Sequence, residues 1–227
     1  MSILVKIINV ITLIINFLNC IKMKKNIIAS ILILLSLSSC IAVKKEIAEI
    51  PSGTYEIDKA HSSVIFRVDH LGLSKYTARF TKFDAKLEFD NENPSKSSIE
   101  TTIKANSVKT DFPFVQRKDF DKFLAYNENW FNARKFPKIS FKSKKITRTG
   151  PRKANITGDL TMLGVTKEIK LKAKFNKAYK VKPYVGKAAL GFSASAKIKR
   201  SEWGFGTFIP SIGDEVEIII ETEFHKL

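Results

Sequence analysis

Three histidines and two cysteines bound the side-chain chemistry of this chain of 227 residues. Asp58 and His61 stand three apart, a spacing open to a catalytic pair, to two metal ligands, or to a local hydrogen-bonded corner at the start of a strand. The corner is the commoner use of such a pair. His70 and His225 complete the histidines, too few ligands without cysteine for a closed transition-metal site. Arg200, in Arg200-Ser201-Glu202-Trp203-Gly204, carries a planar fork suited to phosphate, and the same stretch also reads as a structural corner. There is no Gly-x-Ser-x-Gly elbow, no Walker-type glycine loop and no dinucleotide fingerprint. These residues predict no catalytic group, no metal and no cofactor.

Both cysteines, Cys20 and Cys40, fall in the first forty residues, so the remainder has neither disulfide nor thiol chemistry and relies on its core. Those forty residues contain no acid. Reading from Met23, Lys24 and Lys25 precede an apolar run from Ile27 to Leu37, then Leu37-Ser38-Ser39-Cys40. A basic start, an apolar run too short to span a bilayer, and small residues before the cut describe a secretory signal peptide over 23–39. The last four residues resemble a lipobox, which makes Cys40 the lipidated first residue of the mature chain and a membrane anchor. Residues 1–22 are either an over-called start or an extra apolar segment. Residues 40–53, with Pro51-Ser52-Gly53, read as a tether, and 54–227 as the folded domain.

Period-two alternation dominates from Thr54 onward. Inward rows are Val64, Phe66, Val68 and His70; Ala154 through Met162; Ile169 through Phe175; Ala188 through Ile198; and Val216 through Phe224. Ile99–Ala105 and Ile139–Phe141 supply two more. One apolar and one wet face per strand suits antiparallel sheets. The apolar phase flips near Lys82-Phe83, which predicts a bulge or bend of the kind that closes a barrel. Pro113–Tyr126 breaks the pattern with Phe120, Phe123 and Leu124 at helical spacing, and Pro113 suits a first helical turn. The inward rows hold many small residues, Ala85, Ala105, Gly158, Ala173, Ala194 and Ala196 among them. Either a ligand fills that space, or large residues from facing strands interlock with it.

Four of the 39 basic residues lie in the first forty positions, which leaves 35 against 22 acids. This excess attracts anionic partners. The lysines at 167, 170, 172, 174 and 177 form an outer face without the stacking aromatics that nucleic acid needs, so the expectation is a solvated face near anionic headgroups and no nucleic acid.

An ordered set of motifs resembles the YceI-like family. It comprises Gly53-Thr54-Tyr55-Glu56-Ile57-Asp58, His61-Ser62-Ser63-Val64-Ile65-Phe66, His70, Phe136-Pro137-Lys138-Ile139-Ser140-Phe141, Gly158-Asp159-Leu160-Thr161-Met162-Leu163-Gly164, Lys199-Arg200-Ser201-Glu202-Trp203-Gly204 and Gly213-Asp214-Glu215-Val216. The resemblance covers nearly all of 53–224. It implies an all-β fold: an extended, antiparallel, eight-stranded, lipocalin-like barrel with a short helical insertion. Some members hold a long polyisoprenoid, such as a polyprenyl or quinone tail, and no single reaction is established for the family. Members often carry Arg-Asp-x-His-Leu before a Phe-Phe pair. Here the region reads Arg117-Lys118-Asp119-Phe120-Asp121-Lys122-Phe123-Leu124, then Trp130-Phe131, without the histidine.

The resemblance and the small inward residues together imply a non-enzymatic, exported envelope lipoprotein, on the periplasmic side of the outer membrane, that binds a long isoprenoid lipid in a tunnel. Phe66, Val68, Phe83, Leu87, Phe141, Leu160, Met162, Phe192 and Ala194 are the expected lining, with Trp130 and Phe131 closing the mouth. His70, Arg117 and Arg200 are the headgroup candidates. A homodimer is open. The rivals are an enzyme on a small envelope lipid or metabolite using His61 or His70, and a stress protein with a filled barrel.

Overall fold

The computed structural model describes residues 49–227. The signal peptide, Cys40 and residues 1–22 lie outside the described residues. Eleven strands are described: β1 (Gly53–Ile57), β2 (Ser63–His70), β3 (Ser74–Phe80), β4 (Phe83–Phe89), β5 (Ser98–Lys104), β6 (Val108–Lys109), β7 (Lys138–Gly150), β8 (Lys153–Met162), β9 (Val165–Tyr179), β10 (Ala189–Lys199) and β11 (Ile212–Lys226). One α-helix, α1, spans Phe120–Tyr126.

All pairings are antiparallel, and the ring β1-β4-β5-β7-β8-β9-β10-β11 closes through β1 on β11. Three further strands extend staves of that ring. β1 and β2 lie in tandem along the 15-residue β11, with Ile57 opposite Phe224 and Val64 opposite Ile220. β3 and β4 are likewise one interrupted stave, each paired with its half of the first. The result is a closed eight-stranded antiparallel barrel with a short helical insertion, the architecture that the resemblance implies. Closure leaves no long sheet edge to protect.

The flip in apolar phase falls where β3 gives way to β4. Phe80 and Phe83 both face inward, and Thr81-Lys82 between them leave the ladder. Their amides donate to Ser107 instead, Thr81 N–H to its carbonyl at 3.0 Å and Lys82 N–H to its Oγ at 3.1 Å. A serine buried for this purpose satisfies backbone groups that a bend would otherwise orphan.

The insertion differs from the expectation in one respect. The helix starts at Phe120, not near Pro113, because Asp119 caps it by accepting the Lys122 amide at 2.9 Å. A capping carboxylate satisfies an orphan donor, whereas proline merely lacks one. Pro113 lies in the irregular approach, and Leu124 and Ala125 are the helix's buried residues. Packing also begins earlier than Gly53. Ile50 is buried, the Tyr55 hydroxyl donates to the Pro51 carbonyl at 2.6 Å, and Ser52 pairs with Asn91.

Because the chain runs up and down, its connections alternate between two ends. The crown carries the β2–β3 hairpin, the long insertion with α1, the β8–β9 turn and the β10–β11 loop. The base carries the entry at Ile50, the β4–β5 and β9–β10 loops, the β7–β8 turn and the C-terminus.

Candidate functional site

The inward rows enclose a cavity of about 540 Å³. It runs from Pro94, Arg148 and Arg152 at the base to His70, Tyr76 and Phe112 at the crown. Its wall is almost entirely aliphatic and aromatic. Phe66 and Val68 (β2), Phe83 and Leu87 (β4), Phe141 (β7), Leu160 and Met162 (β8), and Phe192 and Ala194 (β10) all stand on it. So do Trp130 and Phe131. Phe131 packs on Phe66, Phe80 and Phe205, with ring centroids 6.0, 5.3 and 5.3 Å away, and covers the crown end.

The barrel is not filled by its own side chains. Phe66, Val68, Phe192, Ala194, Ile218 and Ile220 all line the cavity, yet each is only partly buried. In a close-packed interior such positions would be buried outright. Ala85, Ala154, Ala173 and Ala194 face this space. Gly158 is a correction to the small-residue reading. A Cβ there would meet the Lys142 carbonyl at 2.4 Å and the Phe141 ring at 2.6 Å, so facing residues already occupy that place.

Among the described residues, the basic side chains on the wall are His70, Arg148, Arg152, Lys153 and Arg200; no carboxylate lines it. His70 is exposed at the crown, and Arg148 and Lys153 at the base. Arg152 is braced across the Phe175 ring and donates to the Asn176 carbonyl at 2.9 Å. The turn Thr149-Gly150-Pro151 signals a loop in the sequence, but nothing there announces that its flanking bases reach the cavity. The Tyr76 hydroxyl is buried on the wall and has no hydrogen-bond partner in the protein.

Two of the headgroup candidates sit differently from expectation. Arg200 is buried, and its guanidinium donates to four carbonyls: Gly213 at 2.8 Å, Phe205 at 2.8 Å, Thr207 at 2.9 Å and Ile212 at 2.8 Å. A guanidinium has five N–H groups, so a phosphate would find at most one. Burial pushes its pKa down from the usual value, with Asp214 opposing, and it stays charged. Arg117 is off the wall, exposed over the Phe114 ring at 5.2 Å. Beside Arg200, Trp203 is fully buried and donates to the Leu160 carbonyl at 3.2 Å, which ties this corner to β8.

Asp58 and His61 form the local corner. Asp58 accepts the Ala60 amide at 3.0 Å and meets His61 Nδ1 at 2.7 Å. Ligand atoms of Asp58, His61 and Glu223 lie within 4.8 Å of one another, a grouping that can hold a metal. The Lys182 ammonium already serves it as the cation, bonded to Glu223, 3.2 Å from His225 Nε2 and 3.6 Å from Asp58. Burial opposes ionisation of Asp58, but the bonds from His61 and Ala60 outweigh it and hold the carboxyl below its usual range. Neither Asp58 nor His61 lines the cavity.

Comparison with known proteins agrees with this geometry. A family model described as the YceI-like domain matches residues 55–224. Protein YceI of Salmonella arizonae is 37% identical over 203 residues, covering 88% of this chain and 97% of the relative. The solved Campylobacter jejuni YceI protein has a TM-score of 0.61 at 30% identity, over 70% of this chain and 90% of that one. A polyisoprenoid binding domain from Saccharophagus degradans has a TM-score of 0.55 at 12% identity, over 78% of this chain and all of that one, a likeness of fold alone. The family model spans most of the chain and the Salmonella relative matches almost end to end, so this chain belongs to the YceI-like family.

Proposed function

We propose that this protein is a binding protein, not an enzyme, that holds the tail of a long isoprenoid lipid in the barrel. The observation that carries this reading is the under-filled interior: six inward-facing apolar residues on β2, β10 and β11 remain partly exposed to a cavity of about 540 Å³. That volume falls within the roughly 300–1,000 Å³ of ligand sites. An apolar chain in contact with this wall gains up to ~0.8 kcal/mol per buried CH₂, before losses for ordering. The Saccharophagus domain of like fold is described as polyisoprenoid binding, which supports an isoprenoid as the ligand class. Among the described residues on the wall, an acid–base reaction would have His70 and the Tyr76 hydroxyl but no carboxylate to work with. Export behind the 23–39 signal peptide and lipidation at Cys40 complete the reading as a bacterial envelope lipoprotein, on the periplasmic side of the outer membrane.

The test is organic extraction and mass spectrometry of protein purified from its own envelope, which should release a prenyl lipid. Added prenyl ligand should raise the melting temperature. Ala194→Phe should abolish uptake, because the new ring enters the cavity, while the barrel still forms. No extractable lipid together with no thermal shift overturns the proposal.

A further inference from the structure

The crown displays apolar side chains that no barrel needs. Leu71 and Leu73 stand out from the β2–β3 hairpin, Phe208 and Ile209 from the β10–β11 loop, and Phe114 and Val115 from the insertion; Leu73 is 82% and Phe208 64% exposed. The three segments adjoin. The Leu71 amide donates to the Ser211 carbonyl at 2.8 Å, which joins hairpin to loop. Phe114 packs on Phe112, Phe112 on Phe120, and Phe120 on Tyr76 of β3, two residues into the strand that follows the hairpin.

Two of these tips are braced by hydrogen bonds, and at a cost in backbone strain. Leu71 and Phe208 both take left-handed backbone conformations, φ 58° and 62°, which side chains of this type rarely adopt. The Arg200 guanidinium bonds four carbonyls within and just beyond the Phe208 loop, and the Ile212 amide donates to the Phe208 carbonyl at 2.7 Å. Charge is absent from the tips: neither Leu71-Gly72-Leu73 nor the stretch from Trp203 to Ile212 contains a charged residue, in a chain of which 27% is charged. Arg117 and Lys118 lie just behind Phe114 and Val115. Of the acids at this end, Asp69 accepts from the Gly72 amide, Asp111 pairs with Arg79 and Asp214 accepts from Ser201, while Glu202 lies one residue before the uncharged stretch.

We propose that the crown is a membrane-inserting rim. Leu71, Leu73, Phe114, Val115, Phe208 and Ile209 enter the boundary between headgroups and acyl chains of a phospholipid bilayer, and Arg117 and Lys118 reach anionic headgroups beside it. Separate convex tips suit a bilayer, which moulds to them, better than a rigid protein surface, which would need a matching pit for each. Basic side chains next to apolar ones are the composition of an interfacial contact. His70, the exposed wall residue at this end, directly precedes the hairpin, so docking brings the crown end of the cavity to the lipid surface. Docking stands without any ligand; only direct passage of cargo between bilayer and cavity rests on the lipid-binding reading.

Residues 46–227 form one compact unit that contains every described strand, and the Saccharophagus match shows the barrel as an entire chain of its own. This fragment lacks Cys40, so a lipid anchor cannot mimic docking. It should sediment with vesicles of phosphatidylcholine and phosphatidylglycerol and remain bound in high salt. Leu73→Asp combined with Phe208→Asp should cut partitioning about tenfold, the penalty expected for carboxylates at an apolar contact, without moving the melting temperature. Bromines on the acyl chains should quench the fluorescence of Leu73→Trp. Prenyl uptake from detergent should be equal in fragment and double variant, which separates docking from cargo binding. The proposal is overturned if the fragment does not sediment with vesicles, if salt alone releases it, or if the double variant partitions as well as its parent. It is equally overturned if the substitutions merely dissolve a dimer in a protein that ignores vesicles.

Discussion

At the crown, uncharged stretches of the β2–β3 hairpin and the β10–β11 loop project leucine and phenylalanine, and a buried arginine braces the second from within. At the base, the β9–β10 loop and the β7–β8 turn project lysine and arginine, and no acid occurs from Ile169 to Ser201. The base has exposed apolar side chains too, Tyr179, Val181, Tyr184, Val185 and Leu227, but they stand among Lys177, Lys180, Lys182, Lys187 and Lys226. The same antiparallel staves reach both ends, so the difference lies wholly in the connections. Loops carry the specialisation because the barrel's hydrogen bonding is complete without them. The comparison also bears on how a ligand is oriented. The crown offers His70 and the Tyr76 hydroxyl, whereas the base offers Arg148 and Lys153.

The largest effect should come from the crown's brace. Arg200→Met leaves four carbonyls at the β10–β11 corner without their charged donor. Bonds to charged groups are worth about 1.5–3 kcal/mol each, so a loss of at least about 3 kcal/mol is expected even after partial relaxation. Urea denaturation should show a lower midpoint with little change in slope. Lys182→Met is the matching change at the base, where the ammonium is partly exposed and shared among Asp58, Glu223 and His225. It should cost no more than about 1 kcal/mol. Equal losses would mean that the two ends are braced alike.

The staves were legible in the sequence because alternation at period two is a direct image of a wall with one dry face. Even the flip between Phe80 and Phe83 could be read, since a bend must exchange the phase of everything after it. The stretch around Arg200 could be read as a corner, but what its arginine bonds could not. Its acceptors lie five to thirteen residues downstream, in a loop without period and the first two residues of β11, and an arginine bonded only to carbonyls leaves no partner to find in the chain. Gly158 misled for a related reason: a small inward residue signals space only if nothing faces it, and Phe141 does. The bases beside the β7–β8 turn were missed because alternation says which face a residue takes within a strand, not whether a turn residue leans over a cavity mouth. Ile50 looked like tether because one buried residue before a strand has no pattern to belong to.

A smaller effect should tell the two ends apart as headgroup sites. Arg148→Glu with Lys153→Glu reverses the exposed cations at the base mouth. If the polar end of the ligand lies there, affinity for a prenyl phosphate should fall about tenfold, equivalent to ~1.4 kcal/mol, while a neutral prenyl alcohol is held as before. Tyr76→Phe removes the unpartnered hydroxyl near the crown and should weaken the alcohol more than the phosphate if the ligand lies the other way. Isothermal titration of both ligands against both variants reads the orientation. A ligand indifferent to all three substitutions is held by its tail alone.

The smallest effects concern one carboxylate at each end. Asp58 at the base is held below the usual range by His61 and the Ala60 amide, against the opposing effect of burial. Asp214 at the crown is held low in the same way, because two bonds from Ser201, at 2.9 and 2.8 Å, outweigh its burial. A carboxyl whose folded pKa is depressed adds stability that is fully present above its unfolded pKa and is lost as pH falls through the folded one. Both contributions should therefore be intact at neutral pH and disappear only below the ordinary carboxylate range. Asp58→Asn and Asp214→Asn should each cost about 1 kcal/mol near pH 7, and each should make stability fall less steeply toward acid. Chemical denaturation across the acid range measures both. The base variant should also loosen the hold on Lys182, since Asp58 is one of that ammonium's neighbours, whereas the crown variant leaves Arg200 its four carbonyls. An acid limb that Asp58→Asn leaves as steep as before would show that the base cluster does not depend on this charge, and the contrast between a shared cation at one end and a caged one at the other would have to be drawn differently.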